Sequence, residues 1–464
     1  MKNYTGFFTA LIIYFYAIAT FSSGCAQIGM PTGGPRDTLP PVLVKANPEQ
    51  KALNFKGNKI FLTFDEYINV LELQNNLLIS PVQKNNPIVT YNLKNVTLKF
   101  KDSLIPNTTY NINFGNAIKD NNEGNTLKNF TFLFSTGSYI DSLSFSGKVF
   151  VAETGKTDTT IIAMLYRNAD DSAVIKRKPN YITKVNANGS FSFQNLPADK
   201  FKVYALKDGD GGKTYNSKTE LFAFTDSEIV VSANTAPVTL YASALEKETP
   251  KTSLTTIKKP LLEKKLRYTN NLDQKTQSLL LPLQLVFNTS LKVFDTQKII
   301  LADTNYKAFT NAKISIDSTA KILSINTTWL PEVNYVLLIP KDAVQDSAGN
   351  SLAKNDTLKF VTKKTEDYGR VILRFKNINI SKHPILQFVS GEVIKYSYPI
   401  TGTEWSNKLF TPGEYEIRIL YDSNQNGIWD PGNYSKKLQP EKAVTLPDKI
   451  SIRADWDNER DIQL

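Results

Sequence analysis

The sequence predicts an all-β protein built of tandem β-sandwiches, and three observations predict it. Phe, Tyr, Val, Ile and Thr recur in short alternating runs with Gly, Pro, Asn and Asp clustered between them, which favours strands over helices. The length of 464 residues exceeds what one core holds and divides into several domains of about 100–150 residues each. The third observation is a stretch that occurs twice. The first copy runs Leu104-x-Pro106-x-x-x-Tyr110, Asp120, Gly124-Asn125-x-Leu127, Phe132-x-Phe134-x-Thr136. The second runs Leu330-Pro331-x-x-x-Tyr335, Asp346, Gly349-Asn350-x-Leu352, Leu358-x-Phe360-x-Thr362. Pro and Tyr are 4 residues apart in both, and the Gly-Asn step follows Tyr by 14 in both, so the chain carries an internal duplication.

From the N-terminus, Lys2 is the only charge before Arg36, and Phe7 to Phe21 is apolar or aromatic apart from Thr9 and Thr20. This run is shorter than the roughly 20 residues a spanning helix needs, so residues 1–24 read as a cleaved signal peptide. Ser23-Gly24-Cys25 resembles the lipobox of bacterial lipoproteins, with Ser22 where that pattern usually has Leu. The resemblance implies that Cys25 becomes the acylated first residue. As the one cysteine of the chain, Cys25 has no partner for an internal disulfide. Residues 25–37, rich in Pro and Gly, read as a tether.

Residues 38–137 hold about seven short runs bounded by turn residues, the pattern of an immunoglobulin-like sandwich. Pro40-Pro41, Phe64-Asp65-Glu66 and the repeated elements resemble the SbsA-type bacterial Ig-like domain of Bacteroidetes envelope lipoproteins. Residues 140–243 differ in texture. Asn188-Gly189 favours a tight hairpin, and Ser190-Phe191-x-Phe193, Leu196-Pro197 and Phe201-x-Val203 resemble the transthyretin-like, carboxypeptidase-regulatory-like sandwich. That resemblance implies a spacer or binding module. Residues 244–275, rich in Lys and Glu, read as a linker. Residues 276–363 read as the second Ig-like copy and 367–464 as the second transthyretin-like one, with Tyr415, Ile417, Ile419 and Tyr421 on one strand face.

The motif richest in chemistry is Asp422-x-Asn424-x-Asn426-Gly427-Ile428-x-Asp430. Its oxygens at relative positions 1, 3, 5 and 9, with Gly at 6 and the Ile428 carbonyl at 7, follow the layout of a calcium loop. Asn433 stands at position 12, where a bidentate Glu is expected, and the alternative is a metal-free turn rich in Asn and Asp. The loop Asp208-Gly209-Asp210 is a poorer version, with Lys213 close by. No catalytic triad or zinc cluster can be assembled from one histidine, His383, and a lipidated cysteine. Asp65-Glu66 reads as the end of a strand, since neighbours on a strand point to opposite faces.

Net charge is +11, or +10 on 440 residues once residues 1–24 are gone, with Lys spread widely, so no nucleic-acid partner is expected. The expected product is a non-enzymatic outer-membrane lipoprotein, a scaffold, spacer or binding protein of the envelope, held to the membrane by lipid. Envelope proteins or glycans are the expected partners. The alternative is a glycan-binding component of a polysaccharide-uptake system, with Trp405 and Trp429 as candidate platforms. Ala26-Gln27-Ile28 lacks an acidic surface-export signal, which favours the periplasmic face.

Overall fold

The computed structural model describes residues 5–21, 36–167, 170–247 and 265–464. Cys25, nearly all of the expected tether and residues 248–264 of the expected linker lie outside the described residues. Strands take up 45% of the chain and helices 7%, so the all-β expectation is met. The one long helix is Thr5–Phe21, 17 residues within the expected signal peptide. Among the described residues no helix is long and apolar enough to cross a membrane. The chain forms two compact units, Met1–Ile140 and Asp141–Leu464.

The first unit contains one sandwich. Its larger sheet orders Leu43–Asn47, Lys59–Phe64, Asn95–Lys99 and Ile88–Asn92, all antiparallel. The other sheet orders Leu78–Ser80, Thr109–Gly115 and Phe130–Ser135, and Ile68–Val70 pairs with Ile118–Asp120. Alternation selects the core: Ile60, Leu62 and Phe64 turn inward from one strand, Val96 and Leu98 from the next. They pack in one cluster with Tyr110, Phe114, Phe132 and Phe134.

The repeated spacing has a physical cause that recurs in both copies. The Tyr110 hydroxyl accepts from the backbone N–H of Ile105 at 2.8 Å, and Tyr335 from that of Leu330 at 3.4 Å. Each held amide directly precedes the proline, so Pro and Tyr keep their separation because one tyrosine pins one corner. Thr136 and Thr362 close the same corners, donating to the carbonyls of Ile105 and Leu330 at 2.7 and 2.5 Å. Removing the Tyr110 hydroxyl strands a half-buried amide. Tyr110→Phe is therefore expected to cost about 1–3 kcal/mol in urea denaturation, and Tyr335→Phe less, since its bond is longer.

Asp120 and Asp346 explain the Gly-Asn step. Asp120 accepts from the N–H groups of Glu123, Gly124 and Asn125 at 2.6–2.8 Å, and Asp346 from those of Ala348 and Asn350 at 3.0 and 2.8 Å. Gly124 and Gly349 turn these loops at φ of +79° and +83°, where a side chain would be strained. Burial pushes the Asp120 carboxyl up, but the amides that surround it outweigh burial and hold it below 3.8. The Asn350 side chain and amide hold Asp346 below 3.8 as well. A carboxylate depressed on folding adds stability above its unfolded value and loses it as pH falls through the folded one. Thermal melts from about pH 6 to about pH 2 should therefore drop below about pH 4, and Asp120→Asn with Asp346→Asn should flatten that drop.

The second unit carries three sandwiches. One orders Ser190–Leu196, Leu143–Val151 and Val238–Ala242, the last pair parallel, against Tyr181–Lys184, Ile162–Arg167, Lys200–Leu206 and Phe222–Phe224. The C-terminal sandwich repeats it strand for strand. Glu404–Phe410, Gly369–Lys376 and Asp457–Gln463, again parallel at the end, face Val393–Pro399, Pro384–Ser390, Gly413–Tyr421 and Lys442–Thr445. Between them in sequence, Tyr268–Asn270, Leu283–Phe287, Ile322–Asn326 and Lys313–Ile316 reproduce the larger sheet of the first unit. Two strand orders therefore recur in turn along the chain.

One boundary needs correction. Tyr268–Asn270 pairs with Leu283–Phe287, and Leu266 is buried in the same core, so this sandwich begins inside the stretch 244–275 expected as linker. The strand has three residues, follows a Lys-rich run and shows no alternation long enough to read.

In the second unit, sandwiches that are not neighbours in sequence meet. Those at 143–242 and 369–463 dock directly on each other. Tyr434 is the wedge: its hydroxyl meets that of Tyr204 at 2.9 Å and donates to the Asp171 carbonyl at 2.8 Å. Its ring lies 5.2 and 5.1 Å from those of Phe222 and Phe224. The Ala443 N–H donates to the Ala152 carbonyl at 2.9 Å, and Lys156 pairs with Glu416 at 2.7 Å. Gly155 allows this approach, because a Cβ there would sit 2.5 Å from the Ala443 carbonyl oxygen.

Candidate functional site

Strand Gly413–Tyr421 positions the site. Tyr415, Ile417 and Ile419 enter the core of the C-terminal sandwich and Tyr421 packs at its margin, as the alternation predicts. The chain then turns at Asp422, which is 2% exposed. The Asp422 carboxylate accepts from the N–H of Gly427 at 2.8 Å and of Asn426 at 3.3 Å. Gly427 adopts φ of +81°, the conformation that lets its amide turn inward. Asn424 and Asn426 both donate their side-chain amides to Asp430, at 2.6 and 2.7 Å. Asp422, Asn424, Asn426 and Asp430 are thus knitted into one loop. Ile428 is exposed, and its N–H donates to Asn426 at 2.9 Å. Asn433, at the expected twelfth position, instead caps the short turn Tyr434–Lys436 by accepting from the Lys436 N–H at 3.2 Å.

Glu441 is the group that sequence reasoning missed. Its carboxylate accepts from the amides of Ser423 and Asp430 at 2.6 and 3.2 Å, and its carbonyl accepts from the Trp429 indole at 2.8 Å. Burial pushes its carboxyl up from 4.5, helped by the charges of Asp422 and Asp430, against the two amides. It lies 19 residues from Asp422, and only its place before the alternating run Lys442–Thr445 could have hinted at it.

The loop at Asp208 is the counterpart. Asp208 accepts from the Lys213 N–H, five residues on, as Asp422 does from Gly427. Carboxylate oxygens of Asp208, Asp210 and Glu220 lie within 4.8 Å of one another. Burial raises the Asp208 carboxyl, while the Gly212 amide and the Asn216 side chain lower that of Asp210. Glu220 follows a ten-residue excursion and no fixed spacing announces it.

His383 is exposed at φ of +49°, ending the turn Ile380–Lys382. Asp65 and Glu66 follow the end of a strand, and Asp65 accepts from the Val42 N–H at 2.8 Å. Trp405 packs on Tyr398 and Phe388 at 4.9 and 5.4 Å, and the Trp429 indole N–H donates to the Glu441 carbonyl.

Residues 37–136 match the bacterial Ig-like domain family. A search of curated proteins finds no match. Among solved structures, the chain is similar to the major pilin subunit BcpA of Bacillus cereus, at 10% identity over 69% of this chain and 99% of that one, with a TM-score of 0.17. It is similar to the N-terminal part of the bacterial S-layer protein SbsC at 14% identity, over 42% and 44% of the two chains, with a TM-score of 0.17. The Bacillus anthracis TIE protein matches at 8% identity over 94% and 75%, also at 0.17. Scores at this level carry no argument about role.

Proposed function

We propose that the chain is a non-enzymatic scaffold, spacer or binding protein of a bacterial envelope, an outer-membrane lipoprotein with its body on the periplasmic side. What supports this reading most is where the buried polar groups are spent. Asp120, Asp346 and Asp422 hold loop backbone, Tyr110 and Tyr335 pin corners, and Tyr434 locks one sandwich to another. Each makes the body stiffer. We read the sandwiches at 143–242 and 369–463 as transthyretin-like spacers alternating with Ig-like ones, and the chain as similar to Bacteroidetes lipoproteins. Mass spectrometry of the protein from membranes is expected to find Cys25 as an acylated first residue. An unprocessed N-terminus overturns the anchor. Protease added to intact cells is expected to leave the body uncut, and cleavage places it outside.

Calcium at the Asp422 loop belongs to the same reading. Asp422, Asn424, Asn426 and Asp430 form an oxygen-rich set of the kind a hard cation takes, and Glu441 adds a carboxylate beside them. Calorimetry on the full chain should show heat at millimolar calcium that Asp430→Ala removes. Absence of heat leaves the loop as the support of Tyr434 alone.

A further inference from the structure

Beside this loop, in the C-terminal sandwich, lies an open cavity of about 570 Å³. Its size is that of small-molecule sites, about 300–1,000 Å³. Ile380, Ile385 and Ile400 give it an apolar side, and no lysine or arginine lines it. Asp422 is its one charged lining residue, in a protein whose net charge is +11. That carboxylate takes one amide at 2.8 Å and one at 3.3 Å. A carboxylate has about four acceptor positions, so capacity remains. Asp422 is 2% exposed, so what its carboxylate offers a ligand is confined to a small part of the cavity wall. His383, Ser397 and Thr401, all exposed, also line the cavity.

We propose that this cavity binds a small organic molecule with an apolar body and a protonated amine, the ammonium on Asp422 and the body against the three isoleucines. A carboxylate or phosphate ligand would meet like charge at Asp422. A neutral alcohol would make a bond about half as strong as the charge-assisted one. Amine binding needs no calcium, and the titration is run in EDTA so that no metal competes for Asp422.

The experiment is methyl NMR of the full chain with labelled isoleucine, titrated with phenethylamine and, separately, with its neutral isostere 2-phenylethanol. Saturable shifts at Ile385 and Ile400 are expected, with the amine binding about tenfold tighter. Thr401→Trp, at the exposed mouth, should abolish the shifts from both probes. Asp422→Asn should reduce the amine to the affinity of the alcohol. Should that variant fail to fold, the amine-to-alcohol ratio on the unaltered protein decides. Equal affinities, no saturable shift, or shifts that survive Thr401→Trp overturn the proposal.

Discussion

Replacing Tyr434 by alanine is expected to destabilise residues 141–464 by about 3–5 kcal/mol and to part the two docked sandwiches. Tyr434 is only 9% exposed although it projects from a turn, because its ring is enclosed by Tyr204, Phe222 and Phe224 of the other sandwich. Alanine leaves that pocket empty and strands the Tyr204 hydroxyl and the Asp171 carbonyl. Tyr434→Phe keeps the ring and loses only the hydroxyl, so about 1–3 kcal/mol is expected for it. Urea denaturation measures both. Hydrogen exchange separates docking from folding: the Ala443 amide, bonded to Ala152 across the junction, should exchange faster in Tyr434→Ala while Ile417 and Ile419 stay protected. A loss below about 1 kcal/mol would mean that the backbone bridge and the Lys156–Glu416 pair hold the junction without the wedge.

The Asp422 loop takes on a second meaning from this junction. It lies directly before Tyr434, and Gly432 within the same excursion donates its N–H to the Ser243 hydroxyl of the other sandwich at 3.0 Å. The density of Asn and Asp that suggests a metal also serves to stiffen the arm carrying the wedge. Asn433 shows the competition most clearly, since its side chain caps the turn on which Tyr434 sits.

Much of the fold was legible because its signals are local. A tyrosine that reaches five residues back, an aspartate that gathers the amides of the next few residues, and a strand that alternates all write their geometry into fixed spacings. Tyr268–Asn270 was not legible, because a three-residue edge strand is chosen by its partner Leu283–Phe287 and not by its own pattern. The docking of two sandwiches was not legible either: Tyr204 and Tyr434 stand 230 residues apart, and each alone reads as an ordinary half-polar aromatic. Glu441 and Glu220 fall in the same class, brought to their loops by tertiary closure.

Phe134→Ala is expected to be the most damaging single change in residues 37–140, at about 3–5 kcal/mol. The Phe134 ring is fully buried and stacks on Tyr110 at 5.1 Å, with Phe55 at 4.9 Å and Phe100 at 6.1 Å edge-on. Its removal therefore loosens the corner tyrosine as well as the sheet contact, and the costs of Phe134→Ala and Tyr110→Phe should fail to add. Phe360 stacks on Tyr335 at 5.7 Å in the second copy, so a double-mutant cycle of Phe360→Ala with Tyr335→Phe offers a matched comparison. There the tyrosine bond is already long, at 3.4 Å against 2.8 Å, and a smaller coupling is expected. Equal coupling in the two copies would show that the ring stack, and not the hydroxyl, is what duplication preserved.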